Sequence, residues 1–337
     1  IQKLTLEGFR GFREKTEFEL HPNVNVFVGV NGSGKTSVLD AVGMLSNLRE
    51  YANRATNYIS VGSSHFEISS ILKVNGKETE AKIFSKRNDN GERLFDSKGD
   101  LYVDISQIEE ISERNTEIIY YETDRNVKRI DDIADYQNDA IPFFVSDFKH
   151  FVDWFINEEN NENREIVRNG QGYQNPRLIP MREALERLFS NLRESSKYEN
   201  LYVETIKGKN SNIYHPYLFI KKNKEIFKLN NLSDGEKMII LIVCDIARKL
   251  TVNYKGDKPK EILNESAIVL IDEIDLHLHP AWQRDIIPAL THVFPNVQFL
   301  VTTHSPQVLS NVKKECVHII EDFKRVPFTP SIYGADS

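Results

Sequence analysis

Apolar and polar residues alternate in "IQKLTLEGF", "KTEFEL" and "NVNVFVG" at the start of the chain, the two-residue period of half-buried strands. After Lys35 the spacing changes to that of a helix in "TSVLDAVGMLSNL". Two more strands, "HFEISSILKV" and "ETEAKIFSK", are predicted around the turn "NGK". "LYVDI" and "TEIIYYET" read as strands. In "DFKHFVDWFI", Phe148, Phe151, Val152 and Phe155 then share one helical face. The polar run "NEENNENREI" reads as a solvated helix end or loop. "MREALERLFSNLR" is a second amphipathic helix, followed by the strand-like "ENLYVETI" and "HPYLFIKKNKEIFKL". Beyond these, "MIILIVCDIARKL" (helix), "AIVLIDE" (strand), "PAWQRDIIPALTHVF" (helix) and "VQFLVTTHS" (strand) alternate, as parallel strands with crossover helices do. Loops leaving the carboxyl ends of such strands are where a ligand is expected.

Those strand ends carry the candidate chemistry. Gly29, Val30, Asn31, Gly32, Ser33, Gly34, Lys35 and Thr36 fit the phosphate-binding pattern G-x-x-x-x-G-K-[ST], between a strand and a helix as the pattern requires. Glycines let successive amides converge on phosphates, Lys35 reaches the β and γ phosphates, and the Thr36 hydroxyl, followed by Ser37, holds Mg²⁺. "AIVLIDE" ends in two carboxylates, and a carboxylate buried at a strand end calls for a cation. Asp272 is read as the Mg²⁺ partner and Glu273 as the general base that polarises an attacking water; the bland alternative is a carboxylate pair capping the strand. "TTHS" places His304 where it can contact a γ phosphate, although a strand-end His also serves as a turn residue. In "NLSDGEK" the Ser233/Glu236 pair matches a capping box, with only Gly235 between Asp234 and Glu236.

In this order, these motifs resemble the ATP-binding-cassette ATPases of the SMC, RecF and OLD group. "NLSDGEKMIILIVCDIARKL", "LIDEIDLHLHPAWQ" and "FPNVQFLVTTHSPQVLS" are further similar to the ATPases of bacterial anti-phage systems such as Septu and retrons. The resemblance implies an α/β, two-lobed ATPase head: a mixed-sheet N-lobe with the phosphate loop, and a parallel αβ C-lobe with signature and Walker B motifs. The expected division is 1–100 for the first lobe, 101–225 for a middle insertion and 226–337 for the second lobe. It also implies that two heads sandwich ATP and Mg²⁺, so that Ser233, Gly235 and Glu236 of one copy complete the site of the other. Arg10, from "LEGFRGF", is then expected near the phosphates, and residues 275–279 in the loop facing the partner head. Gln107 and Gln137 are candidates for the group's water-positioning Gln. The expected activity is ATP hydrolysis controlling a partner effector, a nuclease, in anti-phage defence. A DNA-repair ATPase, a head that has lost an OLD-type nuclease domain, and a nucleotide-sensing scaffold stay open as alternatives.

Composition changes this picture little. Forty per cent hydrophobic and 28% charged residues over 337 positions describe a globular chain. The run from Met238 to Cys244 is too short to span a bilayer, so no membrane partner is expected. Two cysteines in apolar surroundings, Cys244 and Cys316, fit a reducing cytoplasm. A net charge of −7 argues against a generally basic nucleic-acid binder. The basic stretches "KKNKEIFK" and "KRNDNGER" are read as solvated sheet edges, with a DNA or RNA groove as the alternative. His277 and His279 lack further zinc ligands at the usual spacing. The chain opens without Met, so a few residues are expected before it, and its ending on "SIYGADS" leaves a further C-terminal region open.

Overall fold

A computed structural model describes residues 1–45, 58–74, 77–86, 101–103, 117–123, 148–192, 197–207 and 214–327. The strands are β1 (Lys3–Glu7), β2 (Thr16–Glu19), β3 (Val24–Val28), β4 (His65–Val74), β5 (Lys77–Lys86), β6 (Leu101–Val103), β7 (Glu117–Tyr121), β8 (Tyr198–Lys207), β9 (Tyr214–Lys222), β10 (Glu225–Lys228), β11 (Ala267–Ile271), β12 (Val297–Thr303), β13 (Val317–Glu321) and β14 (Lys324–Val326). The α-helices are α1 (Lys35–Met44), α2 (Phe148–Asn169), α3 (Ile179–Asn191), α4 (Asp234–Asn253), α5 (Pro280–Val293) and the single turn α6 (Pro306–Leu309).

A six-stranded sheet in the order β14-β13-β3-β12-β11-β7 forms the centre, parallel throughout except for β14. It draws β3 from the first hundred residues and β7 from the middle of the chain. Strand β3 leaves its sequence neighbours β1 and β2 for this sheet because all five of its residues are buried. A strand covered on both faces needs a parallel neighbour on each side rather than a hairpin edge. Its alternation sorts the core: Val24, Val26 and Val28 face α2 to α5, while Phe27 faces α1 and the second sheet. That second sheet is antiparallel, in the order β2-β1-β4-β5-β6, and contributes Leu4, Leu6, Phe18, Phe66 and Ile68 to the same core as α1. Helix α1 is enclosed by the two sheets, which accounts for its apolar residues all round. A third sheet, β10-β9-β8, lies over α2 and α3 and carries "KKNKEIFK" in its β9–β10 hairpin. There Lys222 pairs with Glu236 at 2.5 Å and Lys228 lies 3.7 Å above the Tyr217 ring. "KRNDNGER" falls beyond Lys86, outside the described residues, as do Gln107 and Gln137.

One expectation is corrected. The acidic run at 157–166 is no solvated end: α2 continues through it, and Glu158, Glu159 and Glu162 are buried. Buried carboxylates persist only with partners. Arg177 pairs with Glu158 at 2.6 Å, Arg182 clasps both oxygens of Glu162, and the Val203 amide donates to Glu159 at 2.7 Å. Burial pushes the Glu159 carboxyl up to about 7 against those bonds. Both cysteines are buried free thiols, and burial raises their pKa values. Among the described residues no helix is long and apolar enough to cross a membrane.

Candidate functional site

Strand β3 delivers the chain into the glycine loop at Gly29. A Cβ there would strike the Ile320 carbonyl and stand 2.7 Å from the Ser33 hydroxyl. Gly34 has φ +112°, and a Cβ on it would lie 2.7 Å from the Phe323 ring and 3.0 Å from Phe12. Both conformation and space therefore require glycine at 34. Helix α1 starts at Gly34 without a side-chain cap, so its first-turn amides point into the loop as an anion site. Val30, Asn31, Gly32 and Thr36 are exposed along the rim, while Ser33 and Ser37 are buried. The Ser33 hydroxyl is a buried polar group with no partner among the described residues. Lys35 folds back, its ammonium donating to the carbonyls of Gly29 and Val30 at 3.0 Å each. Burial lowers its pKa, opposed by the nearby carboxylates of Asp272, Glu273 and Asp275.

The parallel ladder brings the other motifs alongside. Val28 pairs with Thr303, Val301 with Ile271, and Ile271 with Tyr121, so β3, β12, β11 and β7 all end at one edge. There Asp272, 4% exposed, accepts from three hydroxyls: Thr302 at 2.5 Å, Thr123 at 2.7 Å and Thr36 at 3.0 Å. Thr123 and Thr302 were not singled out from the sequence; the run "TTHS" held a signal for Thr302, but nothing marked Thr123. The set of hydroxyls around one carboxylate, with hard oxygen donors only, fits Mg²⁺. Among the described residues no three His, Cys, Asp or Glu side chains cluster as a metal cage. A bound Mg²⁺ would therefore draw its remaining ligands from water and phosphate oxygens, as that ion usually does. Glu273 is half-buried, with φ +48° and its amide donating to the Thr302 hydroxyl at 2.7 Å.

His304 is exposed directly after β12. The Thr303 hydroxyl donates to Asp275 at 2.5 Å, and the His304 amide reaches the same oxygen at 3.4 Å. Asp275 opens the loop 275–279, in which His277 has φ +62° and His279 caps α5 by accepting from the Ala281 amide at 3.3 Å.

Two further sets of predicted residues lie at other elements. Arg10 forms an ion pair with Asp40 of α1 and lies 5.1 Å from the Tyr58 ring centre, joining the second sheet to the loop's helix. The Ser233/Glu236 capping box is formed in full, its Glu236 also bound by Lys222 and the Tyr198 hydroxyl. Burial raises the Glu236 pKa, but the bonds from Lys222, Ser233 and Tyr198 outweigh it and hold the group at about 2. Ser233 is exposed and Gly235 buried. The bonds of Ser233 and Glu236 run to each other, to Lys222 and to Tyr198. A Cβ on Gly235 would collide with the His277 carbonyl, 2.9 Å from its carbon.

The glycine loop at 29–36 is thus joined to the carboxylate at the end of β11. Residues 24–310 match the family described as "AAA domain, putative AbiEii toxin, Type IV TA system". The chain belongs to this family. It is 28% identical to the retron Ec83 probable ATPase of Escherichia coli, over 100% of this chain and 74% of that protein. To the Septu protein PtuA of Bacillus thuringiensis it is 26% identical, over 92% of this chain and 72% of the relative. In fold it is similar to an SMC head crystallised with the C-winged helix domain of ScpA, with a TM-score of 0.57 and 16% identity over 98% of this chain and 99% of that one. The chain is thus similar to the ATPases of retron and Septu systems and shares the fold of SMC heads.

Proposed function

We propose that the protein is an ATPase head that pairs with a second copy of itself around ATP and thereby controls a separate effector, a nuclease, in cytoplasmic anti-phage defence. The observation that carries this reading is the Thr36–Asp272 hydrogen bond, which ties the phosphate loop to the carboxylate at the end of β11. In the proposed cycle the Lys35 ammonium leaves the carbonyls of Gly29 and Val30 for the β and γ phosphates, an exchange of one set of oxygen acceptors for a charged one. Loop amides of residues 29–37 hold the phosphate oxygens. Thr36 and Asp272 would hold Mg²⁺, which when bound would supply positive charge against the phosphates. Glu273 takes a proton from water as the water oxygen attacks the γ phosphorus; the bond to the β-bridging oxygen breaks and its electron pair leaves with ADP. His304 contacts the γ phosphate. Arg10, anchored by Asp40, flanks the same loop.

Exposed Ser233, with Gly235 and Glu236, would meet the γ phosphate of the partner copy, which is supported by the exposure of Ser233 at the start of α4. In that arrangement ATP is the adhesive, and hydrolysis releases the pair for the effector or a bound nucleic acid to register. Glu273→Gln with ATP and Mg²⁺ is expected to be a dimer by mass photometry, and Ser233→Arg a monomer that still binds ATP. A Ser233→Arg protein that pairs as well as the unsubstituted chain would sink the sandwich.

A further inference from the structure

The side chain of Gln283, in the first turn of α5, joins the two loops that flank the reacting end of the site. Its amide nitrogen donates to the Leu278 carbonyl at 3.0 Å and to the Asp275 carbonyl at 3.3 Å. Its carbonyl oxygen accepts from the Ser305 hydroxyl at 2.7 Å. Ser305 in turn uses that hydroxyl to receive the Gln307 amide and start α6. On the other side of His304, Thr303 donates to Asp275 and receives the Ser305 amide at 3.0 Å. The backbone of His304 is thus held at both neighbours, by Asp275 before it and by Gln283 after it. Gln283 also fixes the loop that carries Asp275.

From this geometry we propose that Gln283 is a positioning residue for ATP hydrolysis, aiming His304 and holding loop 275–279 in register with it. The proposal rests on the ATPase reading given above and deepens it. Only an amide can do this work at 283, because the position needs a donor towards two carbonyls and an acceptor towards one hydroxyl. Glutamate keeps the acceptor but sets a carboxylate against two carbonyl oxygens; methionine keeps the length and loses every bond. A displaced catalytic group can lower turnover by about 100-fold without weakening substrate binding.

The test compares Gln283→Met, Gln283→Glu and Ser305→Ala in the full chain. Turnover per folded molecule is measured across ATP concentrations, with binding of a fluorescent ATP analogue measured separately. Each variant is expected to lower kcat about 10- to 100-fold while ATP affinity stays within about twofold. The double variant Gln283→Met/Ser305→Ala should lose clearly less than the product of the two single losses, since both singles cut the shared Gln283–Ser305 bond. Ser305→Ala reads the same link from the other side should a substitution at 283 fail to fold. Unchanged kcat in the folded variants, or losses that multiply in the double variant, would overturn the positioning role while leaving the ATPase reading intact. If the unsubstituted chain shows no turnover that Lys35→Ala abolishes, both fall.

Discussion

Gly235 offers a sharp test, because two reasons for a glycine compete there. One is an open helix end for a phosphate; the other is the neighbouring backbone. In Gly235→Ala the new methyl would sit 2.9 Å from the His277 carbonyl carbon and 3.2 Å from Leu278 Cα, against 3.4 Å for ordinary contact. The obstruction is backbone, so the loop must withdraw by half an ångström or more. That loop is pinned by Gln283 at the Leu278 carbonyl and by Thr303 at Asp275. Overpacking of this kind costs ~1–3 kcal/mol. Against it, Ala in place of Gly in a helix returns up to ~1 kcal/mol, and less in a first turn. The expected net effect is destabilisation by about 1–2 kcal/mol. Urea unfolding, read as a shift in midpoint at constant slope, measures it. Gly172→Ala, where nothing lies within 4 Å of the added methyl, is the control and should stay within about 0.5 kcal/mol. A Gly235→Ala protein as stable as the original would refute the contact argument and leave ligand approach as the reason for that glycine.

Lys35→Ala should lose ATP binding by more than about 10-fold in equilibrium titration, since a charge-assisted contact to phosphate disappears; an unaltered affinity would remove the loop from the site. Asp272→Asn should keep nucleotide binding in the absence of Mg²⁺ but lose the gain that Mg²⁺ confers, and an undiminished gain would place the ion elsewhere. Glu159 gives a pH prediction. Its folded pKa of about 7 lies above the ordinary carboxyl value of 4.5. Between those values the folded state holds a proton that the unfolded state has released, so this group's contribution to stability falls as pH rises from 4.5 through 7. Glu159→Gln should therefore be more stable than the original at pH 8 and close to it below pH 4.5; denaturation at both ends reads this directly, and equal differences at both would contradict it.

Much of the site was legible because its parts are local. Residues 29–36 match a phosphate-binding pattern of fixed spacing that is readable from eight consecutive positions. "AIVLIDE" and "VQFLVTTHS" announce buried parallel strands by composition alone. The capping box was equally readable, since Ser233 and Glu236 lie one helical turn apart. The acidic run at 157–166 misled because polarity is a local reading of a non-local question: whether a carboxylate is solvated depends on Arg177, Arg182 and Asn175, which the chain brings back only after α2 ends.

The amino-acid sequence determined the elements, the phosphate loop and the order of the motifs, because these follow from the period of apolar residues and from short-range backbone geometry. Tertiary structure alone decided that β3 sits between β13 and β12, that Thr36, Thr123 and Thr302 converge on Asp272, and that Gly235 lies beneath His277. Those facts depend on which strands pair and in what register. Pairing is set by burying both faces of the central sheet at once, a condition on the whole chain that no single segment carries.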